Sequence, residues 1–177
     1  IYIKRMIERF KNHLKKSEIK FSKYNELQIT ALRRIYHLLA EFHLANQLIF
    51  DVEPNSIDHT KLKNRINGWI KSYVECHSEF SREKILLTPK IKALYSNTID
   101  DFEQVKKTLI SERHSLDFWE MENQGDWNMM YDYEENELDS ITKKIEKIKK
   151  NNFIDKANFH IRELRNEIED TFQRMSE

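Results

Sequence analysis

A chain of 177 residues is long enough to bury a core without disulfide or metal staples. Its two glycines and two prolines stand against about twelve and nine expected at average usage, which argues against sheet-rich and loop-rich folds and for long helices with few connections. Thirty Lys and Arg balance thirty Asp and Glu, so the formal net charge is zero and there is no global basic bias toward nucleic acid.

The first fifty residues read as one long helix, or two nearly continuous ones. Apolar side chains at Ile3, Met6, Ile7, Phe10, Leu14, Phe21, Tyr24, Leu27, Ala31, Leu32, Ile35, Leu38, Leu39, Phe42, Ala45 and Ile49 recur in steps of three and four, which places them on one stripe. Such a helix would span about 75 Å, more than the width of a compact domain of this size. Residues 1–24 therefore either project as a stalk or coiled-coil segment, or the helix bends near Ser17 to Ser22. Asp51 to Ser56, with Pro54 inside, ends it.

A second helix is expected from Ser56 or Asp58 through Leu62, Ile66, Trp69, Tyr73 and His77 to about Phe80. Gly68 inside it costs about 1 kcal/mol relative to Ala, and close approach of another helix is the expected reason. Glu83 to Thr88 is a short apolar connection, with Thr88 as N-cap and Pro89 as first helical residue of the next helix. That third helix runs through Ile91, Phe102 and Leu109 to about Met121, and the turn residues Asn123 to Asp126 follow. A fourth carries Met130, Ile141, Ile145 and Ile148 as far as Asn151, and a fifth runs from Ile154 through Ile161 and Ile168 to Phe172. The fold expected is an all-α, single-domain elongated bundle of about five helices over 1–177, packed against a long N-terminal spine.

Zero net charge hides opposed patches. Residues 1–24 carry eight Lys and Arg against two Glu, 112–139 carry ten Asp and Glu against one Arg, and 141–150 carry five Lys against one Glu. On the basic segment, Lys4, Arg5, Arg9, Lys15 and Lys16 are candidates for contact with phosphates or an anionic membrane surface. On the acidic one, Phe118, Trp119, Trp127, Tyr131 and Tyr133 are interleaved with carboxylates, which suits a protein interface where Trp and Tyr serve as anchors. Rings that merely cap the end of the bundle would give the same pattern.

Chemistry is hard to find. His37 and His43 are six apart, and Cys76 and His77 are adjacent, so neither pair converges on a metal as an i, i+4 pair would. The acidic run lacks the ligand spacing of a calcium-binding loop. Arg9–His13 and Arg33–His37 have three residues between them, too few for the Arg-and-His motif of helical ribonucleases of the HEPN type. Two isolated glycines cannot build a phosphate-cradling loop or a dinucleotide fingerprint. No catalytic residue, metal ligand or cofactor site is therefore expected. One cysteine fits a reducing, cytoplasmic setting, and no run of 18 apolar residues spans a membrane, although an anchor upstream of Ile1 would make residues 1–24 juxtamembrane.

The stretch from Phe21-Ser22 through Glu26 and Tyr36 to Leu39 resembles a segment of uncharacterised bacterial all-helical proteins, in which a basic coiled helix leads into F-S-x-x-x-E and then Y-x-x-L. Glu83 to Pro89 is similar to their I-x-L-x-P connection, and Ile161 to Arg174 to their closing L-x-x-E-(I/L)-x-x-x-F-R, here with Gln173 inserted before the Arg. Some of those proteins occur beside mobile or phage-defence genes. The resemblance implies a helical fold and no activity. The function expected is protein–protein interaction, as a non-catalytic accessory, sensor or scaffold subunit with a protein partner or as a homodimer. The alternative is an adaptor to nucleic acid or an anionic membrane through the basic N-terminal face.

Overall fold

Apolar positions three and four apart form five helices: α1 (Tyr2–Phe50), α2 (His59–Arg82), α3 (Pro89–Asn123), α4 (Met130–Lys150) and α5 (Phe153–Ser176). The structure, a computed structural model, describes residues 2–50, 58–123, 130–150 and 153–176, with side chains over 7–49, 58–117, 139–149 and 155–175. Among these residues there is no strand. α1 passes through Ser17 to Ser22 without a break, as one helix rather than two.

Caps fix the starts of two helices. The Asp58 carboxylate accepts a hydrogen bond from the backbone N–H of Lys61 at 2.7 Å, and Thr88 Oγ1 accepts one from Ile91 N–H at 3.3 Å, with Pro89 as the first residue of α3.

Side-chain bonds give the topology. Gln28 donates to the Leu86 carbonyl, Arg34 faces Glu79, Trp69 donates to Asn46, and Arg65 donates to the Leu48 carbonyl. Numbers rise along α1 as they fall along α2, so the two are antiparallel. The same reading sets α3 antiparallel to α2 (Lys63 with Asp117, Tyr73 with Glu103, His77 with Tyr95) and α5 antiparallel to α1 (Tyr36 with Glu169, Asn46 with Asn158). Both α4 and α5 run against α3, since Lys147 meets Glu112, His160 meets Asp101 and Lys90 meets Glu167. α4 and α5 therefore lie end to end along one long helix. The bundle has four members arranged in a ring around one core, the second half of α1, α2, α3 and the α4–α5 tandem, with α1 touching both α2 and α5.

The core is centred on Phe42, whose ring meets the edges of Trp69 and Phe102 at centroid distances of 5.1 and 5.2 Å, with Tyr73 at 5.7 Å. Such pairs add about 0.5–1.5 kcal/mol beyond the area they bury. Phe80 stacks on Tyr95 at 3.9 Å and closes the end nearest the α2–α3 connection. Fully buried Asn46 sits among these rings with both ends of its amide used. It accepts from Trp69 Nε1 at 2.7 Å and donates to Asn158 Oδ1 at 2.8 Å, tying α1 to α2 and α5.

The second half of α1 is the part that packs as the spine, while every residue from Ile7 to Tyr24 is exposed. One expectation needs correction. Gly68 is not a close-approach site: a Cβ built there meets nothing within 4 Å, on an exposed face of α2.

Candidate interaction surface

A single column of side chains runs the length of α1 and has two fates. Steps of three and four connect Ile7, Phe10, Leu14, Ser17, Phe21, Tyr24, Gln28, Ala31, Ile35, Leu38, Phe42, Ala45 and Ile49, a continuous heptad series of a and d positions. From Ala31 onward the column is covered, with Ala31, Ile35, Phe42 and Ile49 buried and Leu38 half-buried. Toward the N-terminus the same column lies bare: Phe10 is 63 % exposed and Phe21 is 68 % exposed. Eighteen residues of helix, about 27 Å, carry it clear of the bundle.

The stripe also changes width. In the bundle it is broadened by Leu32, Leu39 and Asn46, all buried, at the e positions that face α2 and α5. The corresponding positions in the projecting half are Lys11, Glu18 and Asn25. A broad stripe suits burial in a globular core, whereas an a/d seam flanked by charge suits a helix pair. Leu27 and Ile85, both exposed, stand near the root, where Gln28 bonds the connection at Leu86. Ile19 is exposed and lies off the seam.

The anion-contact candidates divide. Arg9, Lys15 and Lys16 are exposed on the projecting half, and Arg9, Lys16 and Lys23 repeat every seven residues, forming a basic ladder on the outer face, away from the seam. The side chains of Lys4 and Arg5 lie outside the described residues. So do those of the aromatic candidates Phe118, Trp119, Tyr131 and Tyr133, while Trp127 falls in 124–129, which is not described at all. Helix bounds place Phe118 and Trp119 on the last turns of α3 and Tyr131 and Tyr133 on the first turns of α4, at the opposite end of the bundle from the projecting half of α1.

Three buried glutamates, invisible to periodicity, link the helices. Glu79 is reached by Arg34 of α1 and by Arg82, Glu112 by Lys144 and Lys147 of α4, and Glu167 by Lys90 of α3 and Arg174. Burial works to raise the Glu167 carboxyl, but hydrogen bonds and charge from Lys90 and Arg174 outweigh it and hold the group below the ordinary range. For Lys144 burial prevails over the attraction of Glu112 and lowers it, with Lys147 adding repulsion. Each of these acids is paired with a base, and Arg34, Lys144, Lys147 and Lys90 make those pairs between helices.

Elsewhere the chemistry is sparse. Cys76 is buried, which with nearby Glu79 pushes its thiol up to about 12 and leaves it inert. His77 Nδ1 lies 2.6 Å from the Tyr95 hydroxyl, whose acidity burial suppresses. His160 Nε2 lies 2.8 Å from Asp101 Oδ2 beside a shallow, open depression of about 570 Å³, also lined by Asp155, Lys156 and exposed Phe159. This His–Asp pair has no hydroxyl or thiol beside it among those lining residues. Among the described residues no three His, Cys, Asp or Glu side chains are grouped to hold a metal ion, and no helix is long and apolar enough to cross a membrane. Comparison with protein-family models, curated proteins and solved structures gave no match in any of the three, so the bare seam of α1 stands on its own geometry.

Proposed function

We propose that this protein is a protein–protein interaction module, a non-catalytic accessory or scaffold subunit whose contact surface is the projecting half of α1. The observation that carries the reading is the bare a/d seam, with Ile7, Phe10, Leu14, Phe21 and Tyr24 exposed on a helix that no other described element covers. Apolar side chains in register over three heptads form a contiguous patch of the kind that marks an interaction site. The bundle behind it has its own buried core and acts as the base. A defence complex is the setting that the resemblance to bacterial helical proteins, some of them beside phage-defence genes, would imply. Crosslinking in native extract followed by sizing tests the proposal. Phe10→Ser with Phe21→Ser should abolish the assemblies that the wild-type chain forms, and an unchanged size distribution would sink it.

A second reading draws on the basic ladder. Arg9, Lys16 and Lys23, with Lys15 beside them, line the outer face of the same projecting helix and leave the seam free, so they suit an anionic surface such as nucleic acid or membrane. Replacing Arg9, Lys15 and Lys16 by Ala would then weaken binding to anionic vesicles or to duplex nucleic acid at low salt. Equal retention of wild type and variant on both ligands would remove this reading.

A further inference from the structure

We infer that the projecting half of α1 pairs with the same segment of a second copy as an antiparallel two-stranded coiled coil, Phe10 against the partner's Phe21 and Lys11 beside the partner's Glu18. This rests on the reading of that segment as the contact surface and specifies its occupant, orientation and register.

Orientation follows from what covers the column further along. The face that is bare at Ile7 to Tyr24 is the face that α2 and α5 cover from Ala31 onward. A parallel partner following the seam would run into those two helices, and would bring its own α2 and α5 into the same space. α1 is one unbroken helix, with no break at which the two copies could splay. An antiparallel partner instead leaves in the opposite direction, and the two bundles sit at opposite ends of a shared rod.

Register follows from charge. In an antiparallel pair a residues meet d residues of the other strand, and e positions flank the seam opposite e positions. With Leu14 facing the partner's Ser17, the layers become Ile7 with the partner's Tyr24, Phe10 with the partner's Phe21, and the large Leu14 with the small Ser17, each made twice. Lys11 then lies beside the partner's Glu18, also twice. A slip of one heptad in one direction puts Lys11 beside the partner's Lys11, and a slip in the other puts Glu18 beside the partner's Glu18. One register joins unlike charges and its neighbours join like ones. At the g positions, His13 faces the partner's Lys20, which adds no attraction to any choice. In a parallel pair Lys11 and Glu18 never meet, and Ser17 would face the partner's Ser17 as an underfilled polar layer.

The test is the mass and crosslinking of the purified full chain. Light scattering should report a dimer, and Phe10→Ser with Phe21→Ser should give a monomer whose bundle keeps its helical signal, since neither ring touches it. Lys11→Glu alone and Glu18→Lys alone should each raise the dimer dissociation constant about tenfold, and the two together should restore it. For orientation, Ile7→Cys chains are mixed with Tyr24→Cys chains under mild oxidation; Cys76, buried with its thiol raised to about 12, does not compete. A crosslink between the two different chains is the expected result. Crosslinks of each variant only with itself would mean parallel pairing and overturn the proposal. A monomer at every concentration would overturn it too. If that monomer's native assemblies still vanish with Phe10→Ser and Phe21→Ser, the contact surface stands and self-pairing alone has failed.

Discussion

Phe21 and Phe42 occupy equivalent positions three heptads apart on one helix, and they have opposite environments. Around Phe42 the stripe widens to include Leu39 and Asn46, and three aromatic rings from α2 and α3 close over it. Around Phe21 the flanking positions are Glu18 and Asn25, and the ring is mostly in solvent. The comparison teaches that a heptad column specifies a helix that will be covered, while the flanking positions decide by what. Where Leu32 and Leu39 broaden the stripe, two neighbouring helices of the same chain cover it. Charged flanks leave room for one helix, and no described helix of this chain takes that place.

The largest effect should come from breaking this comparison at its buried member. Phe42→Ala removes the hub of the aromatic cluster and is expected to cost about 3–5 kcal/mol, measured by denaturant unfolding. The equivalent Phe21→Ser, measured at concentrations where the chain is monomeric, should leave unfolding within about 0.5 kcal/mol of wild type. A cost of several kcal/mol at Phe21 would mean that the bundle does depend on the projecting half.

Next in size is the acid side of the bundle, which the projecting half lacks. The Glu167 carboxyl is held below its ordinary range in the folded state, so the folded form binds its proton less readily than the unfolded form does. Its contribution is therefore present above the unfolded value of about 4.3 and is lost as pH falls toward the folded one. Glu167→Gln is expected to cost about 1–3 kcal/mol at neutral pH, and the gap from wild type should close as the pH drops below about 4. A gap that stays constant down to acid pH would show that the carboxylate charge is not what Lys90 and Arg174 hold.

The smallest effect carries the opposite sign. Gly68 sits within α2 with open space where a Cβ would be, so Gly68→Ala should stabilise the bundle by about 1 kcal/mol through helix propensity. A loss of stability there would indicate a neighbour that the open face does not reveal.

Much of the architecture was legible in the residues because helices are local. Steps of three and four, Asp58 and Thr88 as caps, and Pro89 as a first-turn residue depend on neighbours within one or two turns. The proposed contact surface was half legible: a continuous stripe marked residues 1–24 as helix, but the stripe looks alike where it is buried and where it is bare. The flanking Lys11 and Glu18 against Leu32 and Leu39 were the signal that separates the two, readable once the bundle showed where coverage begins. Gly68 misled because propensity argues for a reason behind a costly residue, and here the exposed face supplies none.

By itself the sequence determined the helices, their caps and the length of α1, since each rests on hydrogen bonds and side-chain spacing within a few residues. Tertiary structure alone decided that α4 and α5 lie end to end beside α3, that Asn46 bridges Trp69 and Asn158, and that Glu79, Glu112 and Glu167 are buried beside bases. The partners that cross between helices lie from 23 to 112 residues apart in sequence, and nothing local to an Asn or a Glu tells whether a distant helix will desolvate it or leave it in water.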